Sequence, residues 1–101
     1  MKYDKLVRDK IPEILKSKGV GFLTTNVSGQ KYKQKLYDKL NEEVDEYLES
    51  KEIEELADIF EVIEALCFVN NTTLKDLFKI KQDKQKERGG FKDGIVLLKT
   101  D

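Results

Sequence analysis

The sequence predicts an all-α protein, an antiparallel helical bundle with a small two-stranded β appendage. Charged residues make up 39% of the chain, and helices with solvated faces accommodate so many charges at little cost. One proline and six glycines in 101 residues leave long uninterrupted segments. From about residue 30 onward, apolar residues recur at helical spacing. This length suits a single domain over residues 1–101.

The composition excludes several classes of function. The 19 Lys and Arg residues nearly balance the 20 Asp and Glu residues, which argues against a nucleic-acid-binding protein driven by bulk charge. No signal peptide, membrane span or lipidation motif is visible, so we expect a cytoplasmic protein with no membrane partner. Because the chain has no histidine, an enzyme here must work with carboxylates, Lys, Arg, Tyr and a metal.

The first part of the chain predicts one short helix and one extended segment. Asp9 is placed to cap a helix over IPEILKSK, with Pro12 in its first turn, where a missing N–H does no harm. Gly19 ends this helix. The following segment, GVGFLTTNVSG, favours β structure. Its expected partner is the apolar run at residues 95–98, and the two would form the β appendage.

A second helix is predicted over residues 30–50. At 100° per residue, one apolar stripe about 120° wide contains Leu36, Leu40, Val44, Tyr47 and Leu48. Glu43 falls inside this stripe and Glu46 at its edge, whereas Glu42 points away. An ionised carboxylate in a core-facing position needs a partner, so Glu43 predicts a nearby cation or metal.

The third helix, over residues 52–70, is apolar almost all round. One face holds Ile53, Leu56, Phe60, Ile63 and Cys67, and the roughly opposite face holds Ile59, Val62, Leu66 and Val69. Glu55 and Asp58 begin the second face, so they too are acids where a core is expected. Cys67 is interpreted as a buried structural thiol. A helix with two apolar faces in so short a chain predicts a homodimer or tetramer.

The fourth predicted helix covers residues 74–88. Thr73 and Asp76 resemble a capping box, with Asp in place of the usual Glu or Gln. The last three turns are rich in basic residues, among them Lys84 and Arg88. Basic residues near a helix C-terminus suit the helix dipole, so this cluster has a structural explanation as well as a functional one.

Two acidic pairs flank the turn between the second and third helices. Glu43-x-x-Glu46 and Glu55-x-x-Asp58 each place two carboxylates on one side of a helix. Helices joined by a tight turn run antiparallel, so the pairs can face each other. Converging carboxylates repel unless a cation lies between them, and Mg2+ prefers all-oxygen ligands. The alternative is a polar core network in which Lys or Arg pairs with these acids.

The pattern Glu42-Glu43-x-x-Glu46, then Glu55-x-x-Asp58, resembles the EExxE…ExxD signature of the MazG-type all-α nucleoside triphosphate pyrophosphohydrolases. That superfamily includes phosphoribosyl-ATP pyrophosphohydrolase and the dimeric dUTPases. The opening KLVRDKIPEIL and the closing KERGGF look like a subgroup of small, single-domain house-cleaning members. The resemblance covers nearly the whole chain, and the spacing between the acidic motifs lies at the short end of the family pattern.

The resemblance implies a MazG-like domain that hydrolyses a nucleoside triphosphate, canonical or non-canonical, to the monophosphate and pyrophosphate. Mg2+, or Mn2+ in its place, would be bound by Glu43, Glu46, Glu55 and Asp58. Glu42 matches the first acid of the motif and would lie outside the ligand set or position the attacking water. Glu42, Glu46 or the metal would take the proton of that water, and the sequence does not choose among them.

The resemblance also implies phosphate contacts. Lys84 and Arg88, which run into Gly89-Gly90-Phe91, match a basic segment that would contact the substrate. Lys5 and Arg8 match the opening motif and are interpreted either as phosphate contacts or as salt-bridge residues. The aromatic candidates for a base pocket are Phe22, Tyr32, Tyr37 and Phe91.

Two hypotheses of different classes follow. The first is a metal-dependent hydrolase with a nucleoside triphosphate as substrate. The second is a non-catalytic helical dimerisation or interaction module, in which the acids form a structural network. A third, nucleic-acid binding through residues 79–92, is disfavoured because that stretch lacks interleaved aromatic residues.

Overall fold

The computed structural model describes residues 3–101, and within this range the chain forms four α-helices. They are α1 (Ile11–Ser17), α2 (Gly29–Ser50), α3 (Ile53–Val69) and α4 (Leu74–Arg88). The bounds lie within one or two residues of those that the sequence predicts, and the all-α fold class is confirmed. Among the helices of the described residues, none combines the length and apolar character needed to cross a lipid bilayer.

The antiparallel hairpin of α2 and α3 is the structural centre of the chain. Lys51 ends α2 in the left-handed conformation, with φ 60°, and its N–H donates to the Tyr47 carbonyl at 2.7 Å. Glu52 is extended, so α3 begins immediately afterwards. The buried apolar residues of the hairpin are Leu36 on α2 and Val62 and Cys67 on α3, which confirms the predicted burial of Cys67. This hairpin carries both acidic motifs.

The capping prediction for α4 is confirmed. The Asp76 N–H donates to the Thr73 side-chain oxygen at 3.1 Å, which satisfies one free N–H of the first turn. The helix contacts α3 near this end, where the Phe60 and Phe78 rings lie 5.7 Å apart between centroids. The N-terminal half of α4 is therefore fixed by a cap and by one aromatic contact.

The structure differs from the sequence prediction in three local features. Within residues 3–101 no β-strand forms, and the apolar side chains of residues 95–98 are exposed, so the predicted β appendage is wrong. Asp9 does not cap α1, because Lys10 occupies the position immediately before Ile11. Leu48, predicted on the apolar stripe of α2, is exposed near the turn that joins α2 to α3.

The segment before α1 lies against the hairpin. The Lys35 ammonium on α2 donates to the Asp4 carbonyl at 2.8 Å and lies 3.0 Å from the Asp4 carboxylate. Leu6, in the same segment, is half-buried. This anchoring brings the side chains of Lys5 and Arg8 to the acidic motifs of α2 and α3.

Thr73→Ala tests the energetic weight of the α4 cap. Loss of the side-chain acceptor should lower the free energy of unfolding by about 1 kcal/mol, measured by urea denaturation. Ser28→Ala is the matched control, because Ser28 stands at the N-cap of α2 without a side-chain capping bond. We expect the control to change stability by less than about 0.5 kcal/mol. Equal losses in both variants would contradict the assigned role of Thr73.

Candidate metal centre

The hairpin brings together all five carboxylates of the acidic motifs. Glu42, Glu43 and Glu46 of α2 each offer an oxygen within 4.8 Å of the other two. Glu43 also forms such a group with Glu55 and Asp58 of α3. The predicted ligands from both helices therefore converge, and Glu43 is the residue that both groups share.

Glu43 is the buried charge at the centre of this cluster. Its exposed fraction is 6%, and it is the only buried charged residue in the part of the chain that the structure describes. One carboxylate oxygen, Oε1, lies 3.2 Å from the Lys39 ammonium. The other, Oε2, is buried without a hydrogen-bond partner, and so is Oε2 of Glu55 on the facing helix. Buried carboxylate oxygens without partners are the kind of group that a cation satisfies.

Burial and mutual repulsion raise the pKa of two of these acids. Burial is the main cause that raises the pKa of Glu43; the Glu46 carboxylate adds to it and Lys39 opposes it. For Glu55, burial again raises the pKa first, followed by the charges of Asp58 and Glu43. The contact of Glu43 with Lys39 therefore does not offset burial and the repulsion among these carboxylates.

Two lysines form salt bridges with Glu42, at the outer part of the cluster. Lys5 lies 3.1 Å from one carboxylate oxygen of Glu42, and Lys39 lies 3.3 Å from the other. Burial acts to raise the pKa of Glu42, but these hydrogen bonds and charges outweigh it and lower the pKa. The same contact raises the pKa of Lys5. Glu42 is half-buried, so the prediction that it points away from the packed side of α2 is wrong.

Arg8 closes the α3 side of the cluster. One guanidinium nitrogen lies 2.7 Å from the Asp58 carboxylate, and another lies 3.7 Å from that of Glu61. Of the two interpretations left open for Lys5 and Arg8, the structure shows salt bridges. Lys5 pairs with Glu42 of the acidic motif, and Arg8 pairs with the candidate ligand Asp58.

A groove of about 390 Å3 lies between the N-terminal segment and the hairpin. This volume falls in the range of small-molecule sites. The residues that line it include Val7, Arg8, Lys10, Tyr32, Lys39, Glu43 and Asp58. The groove thus combines acids, cations and one of the aromatic side chains considered for a base pocket.

Sequence reasoning missed Lys39 and Glu61. Both follow helical spacing, because Lys39 precedes Glu42 and Glu43 by three and four residues, and Glu61 follows Asp58 by three. That spacing is the signal that identifies them. Lys84 and Arg88 are exposed on α4 and do not line the groove, so their predicted phosphate contacts remain predictions.

In comparisons with protein-family models, curated proteins and solved structures, the chain matched none. The resemblance to the MazG type therefore rests on the sequence motifs alone. The geometry of the cluster is an independent observation, because it comes from the fold of the hairpin.

The raised pKa values predict how the cation-free protein responds to pH. The ordinary pKa of Glu43 and Glu55 is near 4.5, and in the folded protein both pKa values are higher. The folded state therefore binds these protons more tightly than the unfolded state. Their stabilising contribution is complete below that value and is lost as pH rises through the raised pKa. In EDTA, the melting temperature should therefore rise as pH falls from neutral toward 4.5.

Titration of Glu42 does not affect the melting temperature in this pH range. Its pKa is lowered, so its stabilising contribution is present above 4.5 and is lost only as pH falls further. Glu43→Gln should flatten this rise in melting temperature, because it removes one of the two groups responsible. A melting temperature that falls on acidification across this window, in EDTA, would contradict the assigned environment of Glu43 and Glu55.

Proposed function

We propose that the chain hydrolyses nucleoside triphosphates to monophosphates and pyrophosphate with a divalent cation, Mg2+ or Mn2+. The observation that carries this proposal is the Glu43 carboxylate, buried at the junction of two carboxylate groups with one oxygen unpartnered. An acidic cluster alone is common on helical surfaces. A buried acid aimed into such a cluster, without a partner for Oε2, is not explained by solvation.

The donor set fits a hard divalent cation. Glu43, Glu46, Glu55 and Asp58 offer carboxylate oxygens only, and these are the ligands that Mg2+ prefers. A cation held there supplies positive charge to the phosphate oxygens and polarises a water for attack. The unpartnered oxygens of Glu43 and Glu55 come from facing helices, and these two residues belong to one group of close carboxylates, so both would be candidate ligands of a cation between α2 and α3.

The surrounding side chains fit different roles in the proposed reaction. Arg8 and Lys39 line the groove and carry the positive charge that a triphosphate needs beside so many carboxylates. Glu42 is held ionised by Lys5 and Lys39, which makes it a poor proton acceptor but a firm anchor for those cations. Glu46 is exposed at the edge of the cluster, so water reaches it. We therefore assign acceptance of the water proton to Glu46 rather than to Glu42.

The second candidate is the non-catalytic interaction module with a structural acidic network. The salt bridges of Lys5, Lys39 and Arg8 favour it, because they neutralise three of the acids without any metal. They do not satisfy Oε2 of Glu43 or Oε2 of Glu55. This difference separates the two functions experimentally.

Glu43→Gln and Asp58→Asn test the hydrolase directly. Pyrophosphate release is measured over a panel of nucleoside and deoxynucleoside triphosphates, with Mg2+ and with EDTA. Each variant should lose at least about 100-fold in rate, together with the rise in melting temperature that Mg2+ produces. Glu43→Gln should also stabilise the cation-free protein, since the amide oxygen keeps the Lys39 contact and the amide N–H groups relieve the repulsion.

Asp83→Asn is the matched control for these variants. Asp83 is an exposed acid on α4, paired with Lys79 at 3.3 Å, so its removal should leave activity and the Mg2+ effect unchanged. No release over the whole panel, together with no effect of Mg2+ on melting, would exclude the hydrolase. Destabilisation by Glu43→Gln in EDTA would then favour the structural network.

Arg8→Gln tests whether Arg8 and a cation compete for Asp58. Removal of the guanidinium frees the Asp58 carboxylate, so binding of Mn2+ without nucleotide should tighten several-fold, measured by calorimetry. The same variant should raise the KM for the triphosphate, because a phosphate-binding charge is lost from the groove. Lys79→Gln removes an equal charge far along the chain and should change neither quantity. Unchanged Mn2+ affinity in Arg8→Gln would show that Asp58 is not a cation ligand.

A further inference from the structure

One wall of the groove is a stretch of chain without helix or strand. This stretch, residues 4–8, which we call the strap, contributes Leu6, Val7 and Arg8 to the lining of the groove. In the described part of the chain, the strap forms no backbone–backbone hydrogen bond with α2 or α3. Contacts that involve side chains therefore hold the strap against the hairpin.

Lys35 on α2 holds the first residue of the strap. Its ammonium donates to the Asp4 carbonyl at 2.8 Å and lies 3.0 Å from the Asp4 carboxylate. The Lys35 side chain is only 19% exposed, whereas that of Asp4 is 97% exposed. Lys35 is thus part of the packed surface of α2, and Asp4 is attached to it from outside. Four extended residues span at most about 14 Å, so an Asp4 held at Lys35 keeps Arg8 close to the hairpin.

Arg8, at the other end of the strap, contacts the acidic cluster. Its guanidinium lies 2.7 Å from the Asp58 carboxylate, and both side chains are partly exposed, so this ion pair alone is weak. Because the strap is short, the contact at Asp4 raises the effective concentration of Arg8 beside Asp58. Loss of the Lys35 contact should therefore weaken the hold of Arg8 on Asp58.

We propose that Lys35 is a positioning residue that holds the strap over the acidic cluster, and that the held strap and a divalent cation compete for Asp58. A guanidinium and a cation on one carboxylate repel each other, so binding of either one disfavours the other. The competition rests on the proposed function, because Asp58 is one of its cation ligands, whereas the role of Lys35 in holding the strap does not. Cation binding and release of the strap should then favour each other.

Limited digestion of the full chain with trypsin, in EDTA, tests the role of Lys35. Cleavage after Arg8 requires this side chain to leave Asp58 and enter the specificity pocket of the protease. Lys35→Gln should raise the rate of this cleavage up to about five-fold, the factor that corresponds to loss of one partly exposed ion pair. Asp4→Asn should raise it by less, because the Asp4 carbonyl still accepts from Lys35.

Two controls separate release of the strap from a general loss of stability. Lys31→Gln removes an exposed lysine one turn earlier on α2 and should leave cleavage after Arg8 unchanged. Cleavage after Lys39, in the middle of α2, requires the helix itself to open, so it should stay equally slow in every variant. Mass spectrometry assigns each cleavage to its site.

Mn2+ without nucleotide tests the competition. Saturating Mn2+ should raise cleavage after Arg8 in the wild type, with cleavage after the exposed Lys99 as the reference for protease activity. In calorimetry, Lys35→Gln should bind Mn2+ more tightly by up to the same factor by which its strap is released. Lys31→Gln should bind Mn2+ as the wild type does.

The outcomes distinguish failure of this proposal from failure of the proposed function. Unchanged cleavage after Arg8 in Lys35→Gln, in EDTA, would overturn the role of Lys35. If Mn2+ binds but changes neither this cleavage nor the relative affinity of the variant, the competition is wrong and the proposed cation site stands. Absence of Mn2+ binding in all of these proteins would overturn the proposed cation site and the competition together.

Discussion

The buried carboxylate of Glu43 is the constraint on which the charged half of the molecule depends. The tight turn at Lys51 forces α2 and α3 into an antiparallel pair, and their packing encloses Glu43 beside Val62 and Leu36. A charge in this position is costly unless positive groups surround it. Lys39 contacts one oxygen of Glu43, and the other is buried without a partner. The other neighbouring cations, Lys5 and Arg8, pair with Glu42 and Asp58.

The N-terminal segment acts as an internal counterion for the hairpin. Lys35 fixes Asp4, and this anchoring carries Lys5 to Glu42 and Arg8 to Asp58. Both salt bridges are partly exposed, so each contributes little to stability alone. Their consequence is positional, because they keep the Lys5 and Arg8 cations beside the acidic cluster. In the proposed hydrolase, these two side chains would be placed to contact phosphate oxygens instead of carboxylates.

The helices were predictable because their signals are local, whereas the features that failed depend on distant pairing. The Thr73 cap and the apolar periodicity of α2 and α3 depend on residues that lie close together in the sequence. Glu43 was identifiable because it interrupts an apolar stripe. The β appendage required residues 20–27 to meet residues 95–98, and no local pattern fixes such a pairing. The direction of α4, which decides where Lys84 and Arg88 lie, depends on its contact with α3 and is equally invisible in the sequence.

The hairpin combines little apolar burial with strong repulsion among its carboxylates. The buried apolar residues are few, namely Leu36, Val62 and Cys67, and the Glu55 carboxylate on α3 is repelled by those of Asp58 and Glu43. A chain of this size has little apolar burial to offset that repulsion. In the proposed function, a cation held between α2 and α3 would remove the repulsion. Its binding would therefore stabilise the hairpin as well as supply the chemistry.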